Sequence, residues 1–396
     1  MKSKTKEKLW TKDFIIISIA SFLAAMIFYL LMVTMASYAI ETFDASTGQA
    51  GFVSGLFIIG VLVGRLYIGR KLVDFDTRKL LMIGLGLFAA SILLYFIQQG
   101  ILFLLFSRFL HGLSFGIATT AMSTIIAVIL PNSRKGEGIG YYSMSITLAT
   151  AIGPFIGIMM TKYASYFGIF LLCFILGLFS LVIIFMSKIP SLKRERKPEE
   201  RKLSLDQFVE PKAFPIAIIV IGVSSCYASV LSFINLYAAE INLVEAASVF
   251  FLVYAIAILV SRPITGRIVD AVGANYVMYP CIALLAVGMV LLSMAHNSFM
   301  LLLAAALIGM GFGNIQSTAQ VVAIKMTTPE RMGLATSTYY IAMDAAFGFS
   351  PSFLGIILPM LGYQNMYSAL AVVAMAMIVV YYFVYGRNEG ILKNAH

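Results

Sequence analysis

Long apolar runs separated by short polar segments recur along the whole chain. A hydrocarbon core of ~30 Å needs about 20 apolar residues in a helix that rises about 1.5 Å per residue. Windows of this length predict twelve membrane-spanning helices. Their approximate spans are 14–39, 47–69, 79–98, 101–127, 138–161, 165–187, 213–237, 246–266, 276–296, 298–322, 333–358 and 363–386.

One polar segment, residues 188–212, is longer than the others, contains proline and is densely charged. It divides the predicted helices six and six. We therefore expect an all-α membrane protein of two pseudo-symmetric six-helix bundles, residues 1–187 and 213–396, with residues 188–212 as a cytoplasmic linker.

The second half of the chain repeats the first at a constant shift of 197 positions. Because one shift holds over five predicted helices and two loops, we interpret the halves as duplicates. Secondary transporters are often built from two such parallel halves with a site near the bilayer midplane. The coinciding residues are Arg65/Arg262, Gly69/Gly266, Gly112/Gly309, Gly116/Gly313, Arg134/Arg331, Gly136/Gly333, Tyr142/Tyr339 and Pro154/Pro351.

Composition and charge place the chain in a membrane. It is 61% hydrophobic and 12% charged, which is too apolar for a soluble domain. If the N-terminus is cytoplasmic, 26 of the 28 Lys and Arg residues are assigned to cytoplasmic tails and loops. Arg65 and Arg262 are counted with these loops. This bias predicts a multi-pass cell-membrane protein with both termini cytoplasmic. The net charge of +10 then reflects topology and attraction to anionic lipid, and not a nucleic-acid partner.

Motifs of enzymes and metal proteins give no support for catalysis. The three cysteines lie inside apolar runs, which predicts neither disulfides nor a metal site. Walker-type loops, His-Glu-x-x-His and Cys-x-x-Cys do not occur. We therefore expect no enzyme, cofactor or bound metal.

Ionisable residues inside the predicted spans are candidates for proton coupling, because charge is costly in hydrocarbon. Arg108 lies in helix 4, and His111, whose ordinary pKa is about 6.5, follows on the same face. Asp344, about 16 Å from the inner end of helix 11, is the only acid well inside a span. Arg108 and Asp344 have similar predicted depths, so we expect them to share a water-filled cavity. Glu41, at the outer end of helix 1, is a further candidate. Structural hydrogen bonding is the alternative for Asp344, and contact with the substrate or plain hydrogen bonding is the alternative for His111.

Three motifs give the chain a resemblance to the major facilitator superfamily, and within it to the twelve-helix drug/proton antiporters, over essentially its whole length. RFLHGLSFG, starting at Arg108, resembles the Arg-x-x-x-Gly motif of helix 4. AIGPFIG, starting at Ala151, resembles the Gly-Pro-x-x-Gly motif of helix 5 that marks antiporters. GRKLVDFDTRKLL, starting at Gly69, resembles the loop 2–3 motif, with one extra residue before Asp74 and Thr77 in place of the usual glycine.

The resemblance implies roles for two of these motifs. Gly153, Pro154 and Gly157 would pack helix 5 tightly against helix 11 and control leak and direction, with plain helix packing as the alternative. The loop 2–3 motif and its second-half copy would act as a latch that closes in one conformation, with Arg134 as a candidate partner of Asp74 and a solvated charged loop as the alternative. The latch residues are Gly69, Asp74, Arg78, Arg134, Gly266 and Asp270.

Inward-facing residues of helices 1, 4, 5, 7, 8, 10 and 11 are expected to line a substrate cavity. Polar and aromatic residues within these spans are the candidates, and for each the alternative is a helix–helix hydrogen bond or a place in the interfacial belt. They are Tyr29, Asn235, Tyr237, Tyr254, Asn314, Gln316, Gln320, Tyr339 and Tyr340. Together with Met-rich surfaces they suit an adaptable, mostly apolar ligand. We expect a monomeric, proton-coupled exporter of small amphipathic or drug-like molecules. A dedicated exporter of a sugar, amino acid, lipid or metallophore is the alternative, followed by a proton-linked importer.

Overall fold

The computed structural model describes residues 8–45, 47–71, 76–187 and 208–389, and within these ranges it is helical and contains no strand. Ten of the described helices are long and apolar enough to cross a membrane, so the prediction of an all-helical membrane protein is confirmed. The α-helices are α1 (Lys12–Phe43), α2 (Thr47–Lys71), α3 (Thr77–Leu93), α4 (Ile101–Ile129), α5 (Lys135–Tyr163), α6 (Tyr166–Phe185), α7 (Phe214–Glu240), α8 (Val244–Ala271), α9 (Asn275–Ser293), α10 (Ser298–Lys325) and α11 (Met332–Val384).

Two described helices, α2 and α11, bear on the predicted count of twelve spans. The helix α2 is 25 residues long, and Gly55–Gly69 is the apolar stretch found among its described residues. The last helix, α11, is interrupted at Gly362, whose φ of 71° and ψ of 165° are not helical. A positive φ costs glycine little because it has no Cβ. The interruption falls between the predicted spans 333–358 and 363–386, and the count of twelve stays a prediction.

Polar residues at the ends of the apolar runs determine where several helices begin. The side chains of Thr11, Asp76, Ser165 and Asn297 each accept a hydrogen bond from a backbone N–H in the first turn of α1, α3, α6 and α10. Such caps satisfy N–H groups that have no partner within the helix. Helix starts are therefore specified by the local sequence.

The chain forms two compact units. The first comprises the described parts of Met1–Pro131, Leu148–Glu210 and Pro329–Ile341. The second comprises the described parts of Asn132–Thr147, Pro211–Thr328 and Ala342–His396. Each unit thus includes the first turns of one helix from the other half of the sequence, α11 in the first unit and α5 in the second. The predicted domain limits, which keep every helix whole, stay a prediction.

Corresponding helices pack in the same way within the two units. In the first unit α4 packs against α2, α3 and α1, and in the second unit α10 packs against α8, α9 and α7. Each pair in the second unit is the counterpart, six helices later, of a pair in the first. This is the arrangement expected of duplicated halves.

Glycines let the α4 backbone touch α2. A Cβ added to Gly112 would lie 2.0 Å from the carbonyl oxygen of Phe57, and one added to Gly116 would lie 2.4 Å from that of Val61. At the repeat positions in the second unit, a Cβ on Gly309 would lie 2.6 Å from the carbonyl oxygen of Tyr254. Small residues spaced four apart permit such close helix pairs in membranes.

Candidate functional site

Arg108 of α4 is buried against α2, with 1% of its surface exposed. Its Nε donates a hydrogen bond to the carbonyl oxygen of Val53 at 3.2 Å, and its guanidinium carbon lies 4.5 Å from the centre of the Phe57 ring. Gly112 lies one turn further along the same face of α4, where it brings the two helices into contact. The Arg-x-x-x-Gly spacing thus places the arginine where it can reach a neighbouring backbone.

Tyr95 and His111 extend this buried cluster. Nη1 of Arg108 donates to the Tyr95 hydroxyl at 3.4 Å, and that hydroxyl lies 2.8 Å from Nδ1 of His111. His111 is fully buried, and its Nε2 has no hydrogen-bond partner among the described residues. Tyr95, in the turn after α3, was not anticipated from the sequence; its position at the end of an apolar run is typical of an interfacial tyrosine and gave no signal.

Arg108 has no acidic partner in the described part of the chain. No Asp or Glu oxygen there lies within 4.0 Å of its nitrogens. Nη2 reaches only the sulfur of Met32, at 3.9 Å. An arginine in a bilayer costs at least ~2.5–3.5 kcal/mol on the insertion scale, so an unpaired one indicates a functional site.

The acidic candidates lie elsewhere. Asp344 of α11 is buried, with 7% of its surface exposed, and belongs to the second unit, whereas Arg108 belongs to the first. Their sharing of a cavity stays a prediction. The repeat position of Asp344 in the first half is Thr147, whose hydroxyl accepts a hydrogen bond from Arg262 at 3.0 Å. Glu41 is exposed in the last turn of α1.

The glycines of the helix 5 motif face α1. A Cβ on Gly153 would lie 2.9 Å from the carbonyl oxygen of Met26, and one on Gly157 would lie 3.0 Å from that of Leu30. The expected packing of this glycine surface against helix 11 is therefore corrected to α1, because these are the nearest atoms to the missing side chains. Pro154 lies between the two glycines inside α5, where it removes an intrahelical hydrogen bond.

Asp270, at the end of α8, binds the first turn of α5 in the second unit. Its carboxylate accepts hydrogen bonds from the backbone N–H groups of Gly136 at 2.7 Å and Glu137 at 2.8 Å. Lys325 lies 3.5 Å from the same carboxylate. A carboxylate at a helix N-terminus is stabilised by unpaired N–H groups and by the helix dipole. The Cβ that Gly266 lacks would lie 2.8 Å from Cα of Glu137, so glycine there permits the approach.

Arg134 and Arg267 complete this charged contact. Glu137 accepts from Nε of Arg134 at 2.8 Å and from Nε of Arg267 at 3.1 Å. The predicted partner of Arg134, Asp74, lies outside the described residues. The Arg134–Asp74 contact therefore stays a prediction.

The first-half copy of the latch contacts the start of α11 in the first unit. A Cβ on Gly69 would lie 2.8 Å from the Ser337 hydroxyl oxygen, so glycine is needed for this approach. Arg78 donates to the carbonyl oxygen of Ser187 at 2.9 Å and thereby holds the end of α6. Glu210, just before α7, forms an ion pair with Arg331, a contact that the sequence did not suggest.

The assignment of Arg65 and Arg262 to cytoplasmic loops was wrong. Both lie inside helices and are buried, 2% and 1% exposed. Arg65 of α2 donates to the Thr120 hydroxyl at 3.2 Å, and its guanidinium lies 4.3 Å from the centre of the Tyr340 ring. Arg262 of α8 donates to Thr147. Their coincidence at the repeat shift was the signal in the sequence that could have identified them.

Several predicted cavity residues form contacts between helices. The Tyr237 hydroxyl donates to the carbonyl oxygen of Leu292 at 3.0 Å, which joins α7 to α9. The Asn314 amide oxygen accepts from the Thr265 hydroxyl at 2.7 Å, which joins α10 to α8. For these two, the alternative of a helix–helix hydrogen bond describes what the structure contains. Their role in a cavity stays a prediction.

The other predicted cavity residues differ in their contacts. Gln316 accepts from Arg262, Tyr254 stacks on Tyr227 with ring centres 5.0 Å apart, and Gln320 has a buried Nε2 without a partner in the described chain. The Tyr340 hydroxyl lies 2.8 Å from that of Ser123, and Tyr339 packs edge-on against Tyr340. Tyr29 is half-buried beside Phe28, and the side chain of Asn235 lies outside the described part of the structure.

Among the described residues, no three His, Cys, Asp or Glu side chains come together as metal ligands would.

Comparison with known proteins gives consistent results. A family model described as Major Facilitator Superfamily matches residues 17–252 and 238–395. The chain is 26% identical over 361 residues to the uncharacterized MFS-type transporter MJ1560 of Methanocaldococcus jannaschii, over 88% of this chain and 92% of that protein. It is 24% identical over 284 residues to multidrug resistance protein 2 of Bacillus subtilis, over 68% of this chain and 70% of the relative.

Solved structures share the fold. The crystal structure of FucP in the outward conformation has a TM-score of 0.75 and 13% sequence identity to this chain, over 95% of this chain and 99% of that one. At this identity the likeness concerns the fold alone.

Proposed function

The chain belongs to the Major Facilitator Superfamily, and from this premise we propose that it exports small amphipathic molecules from the cell in exchange for protons. A member of this family is a multi-pass membrane transporter of small molecules and not an enzyme. The direction of transport, the coupling ion and the class of cargo are the proposed parts. The exporter is proposed to act as a monomer in the cell membrane, with both termini cytoplasmic.

The contact of α5 with α1 carries the proposal of export. Gly153 and Gly157 bring the backbones of these helices within van der Waals distance on either side of Pro154. The same residues form the Gly-Pro-x-x-Gly pattern that resembles the antiporter motif. The name of the Bacillus subtilis relative, multidrug resistance protein 2, supports the same direction and a drug-like cargo.

Buried ionisable residues support proton coupling. Asp344 is a buried carboxyl group in α11 and is proposed as the proton carrier. An ionisable group inside a membrane span is costly and is therefore a candidate for a functional role in proton transfer. His111 and Glu41 are the alternative carriers.

Alternating access requires contacts that can break and reform, and the latch residues supply them. Asp270 joins α8 to the start of α5 through hydrogen bonds and ion pairs, which water can replace when the helices separate. An apolar contact of the same size would be lost at a greater cost in water. We propose that this charged contact opens and closes during each transport cycle.

Measurement of proton release tests the coupling. Purified protein is mixed with a transported drug in weakly buffered solution, and the pH change is recorded for wild type and Asp344→Asn. We expect wild type to release a proton and the variant to bind the drug without release. Glu240→Gln, which alters an exposed acid at the end of α7, is the comparison variant. Release and uphill transport by Asp344→Asn in proteoliposomes would make Asp344 structural and transfer the test to Glu41 and His111.

The direction and cargo are tested in cells. Drug susceptibility and metabolites in the medium are compared between cells with and without the gene. A proton-linked exporter of drugs lowers susceptibility to several unrelated compounds. A change confined to one metabolite in the medium would favour the dedicated exporter, and depletion of a compound from the medium would favour an importer.

A further inference from the structure

Arg108, which has no acidic partner in the described part of the chain, indicates the chemistry of the cargo. We propose that Arg108, with Tyr95 and His111, binds the carboxylate of an aromatic organic acid that the protein transports. The inference rests on the proposed transport function and names its substrate class. It assigns the positive charge of Arg108 to the cargo instead of to an internal acid.

The hydrogen-bond donors of Arg108 are not fully used. The guanidinium has five N–H groups in a planar fork. Nε donates to the carbonyl oxygen of Val53, and Nη1 donates to the Tyr95 hydroxyl. Nη2 meets only the thioether of Met32, which is a weak acceptor. Donors therefore remain for a carboxylate, which guanidinium groups bind through two parallel hydrogen bonds.

The described neighbours of Arg108 add donors and no negative charge. Arginine can only donate, so the Tyr95 oxygen accepts from Nη1, and the phenol proton is free to bond to Nδ1 of His111. The imidazole proton then resides on Nε2, where no partner exists among the described residues. The cluster Arg108–Tyr95–His111 is thus a set of donors that lacks an acceptor, which is the complement of an anion.

Aromatic side chains adjoin the same cluster. Phe28 of α1 stacks against Phe57 and Phe115, with ring centres 5.2 and 5.3 Å apart. Phe28 and Met32 are half-buried and lie four residues apart on one face of α1. Met32 is flexible and covers Nη2, so a ligand can displace it. An aromatic acid whose ring packs against Phe28 would have its carboxylate about one helical turn away, where the Met32 sulfur now lies.

The size of the charge selects the anion. One guanidinium matches the single negative charge of a carboxylate. A phosphate monoester carries about −1.5 to −2 and would leave excess charge in this site, where the described residues in contact with Arg108 include no second cation. Aromatic carboxylic acids therefore fit the site better than phosphorylated molecules.

Equilibrium binding to the purified full-length protein in lipid nanodiscs tests the proposal. The probes are benzoate and 1-naphthoate, each compared with its neutral amide, benzamide and 1-naphthamide. We expect at least one acid to bind at least tenfold more tightly than its amide. Arg108→Gln should remove this preference, Arg108→Lys should keep part of it, and Arg387→Gln, which alters an arginine beside Phe383, should keep all of it. Equal binding of acids and amides by wild type would overturn the proposal.

A second variant keeps the test decisive if Arg108→Gln does not fold. Met32→Glu places an internal carboxylate beside Nη2, and Met32→Gln places a neutral group of the same shape there. We expect Met32→Glu to abolish acid binding and Met32→Gln to retain it within about threefold. Unchanged acid binding by Met32→Glu would show that the guanidinium is not the anchor.

The outcome is separable from that of the proposed function. Binding is measured without a pH gradient, whereas export is measured by pH-driven efflux and proton release. Proton-coupled drug efflux by a protein with no preference for acids would refute the carboxylate site and leave the exporter proposal intact. Preferential acid binding without any pH-driven transport would support the carboxylate site and refute the exporter proposal.

Discussion

The contact of α5 with α1 makes a sharp prediction for two alanine variants. A Cβ added to Gly157 would lie 2.8 Å from Cγ2 of Val33 and 3.0 Å from the Leu30 carbonyl oxygen. A Cβ added to Gly153 would lie 2.8 Å from Cβ of Tyr29. Real Cβ atoms essentially never approach other atoms within 3.0 Å. In Gly153→Ala the new Cβ meets Cβ of Tyr29 and the Met26 carbonyl oxygen, so α5 must shift away from α1; in Gly157→Ala the Val33 side chain or the neighbouring backbone must move by a smaller amount.

The size of the effect follows from overpacking. Adding a methyl group to a packed site costs about 1–3 kcal/mol. Alanine favours a helix over glycine by about 1 kcal/mol, but this gain applies to every state in which α5 is helical and does not change their balance. States with the close α5–α1 contact therefore lose about 1–3 kcal/mol relative to states without it. This is a shift of about 5- to 150-fold in their equilibrium.

The assay is pH-driven drug efflux from inverted membrane vesicles, corrected for protein level. We expect Gly157→Ala and Gly153→Ala to lower the rate by about tenfold, because the balance between states of the cycle is displaced. Gly86→Ala on α3 is the matched control, since no heavy atom beyond its own helix backbone and chain neighbours lies within 4 Å of its added Cβ. Wild-type rates in both α5 variants would refute the role of this contact in the cycle.

Two further predictions concern the latch and the topology. Asp270→Asn keeps the shape of the side chain but removes the charge that meets Lys325 and the first turn of α5. We expect this contact to lose about 1–2 kcal/mol and, in a Gly140→Cys background, maleimide labelling to increase. Unchanged labelling would contradict the latch. Ser204→Cys, in the linker, should escape a membrane-impermeant thiol reagent in intact cells and react after permeabilisation, and labelling in intact cells would contradict the cytoplasmic placement.

The polar and glycine positions show how far sequence reasoning reached at the site. Arg108 was identified from one fact, a charge inside an apolar run, because that cost is independent of the neighbours. Arg65 and Arg262 carry the same signal, but they lie near the ends of their runs and were counted with the loops. Tyr95 could not be found, since its importance arises from its contact with His111.

The pattern of apolar runs, the positive charges and the shift of 197 positions determined the fold class, because each run is matched to a bilayer by its own length and composition. The local sequence also determined where several helices begin, since a capping side chain bonds only to the first turn of its own helix. The tertiary structure decided which helices the special residues face. It placed the α5 glycines on α1, joined Asp270 to the start of α5, and left Arg108 without an acid in the described chain. These outcomes depend on pairs of residues far apart in the sequence, and a single chain's periodicity specifies which face of a helix is buried but not which neighbour covers it.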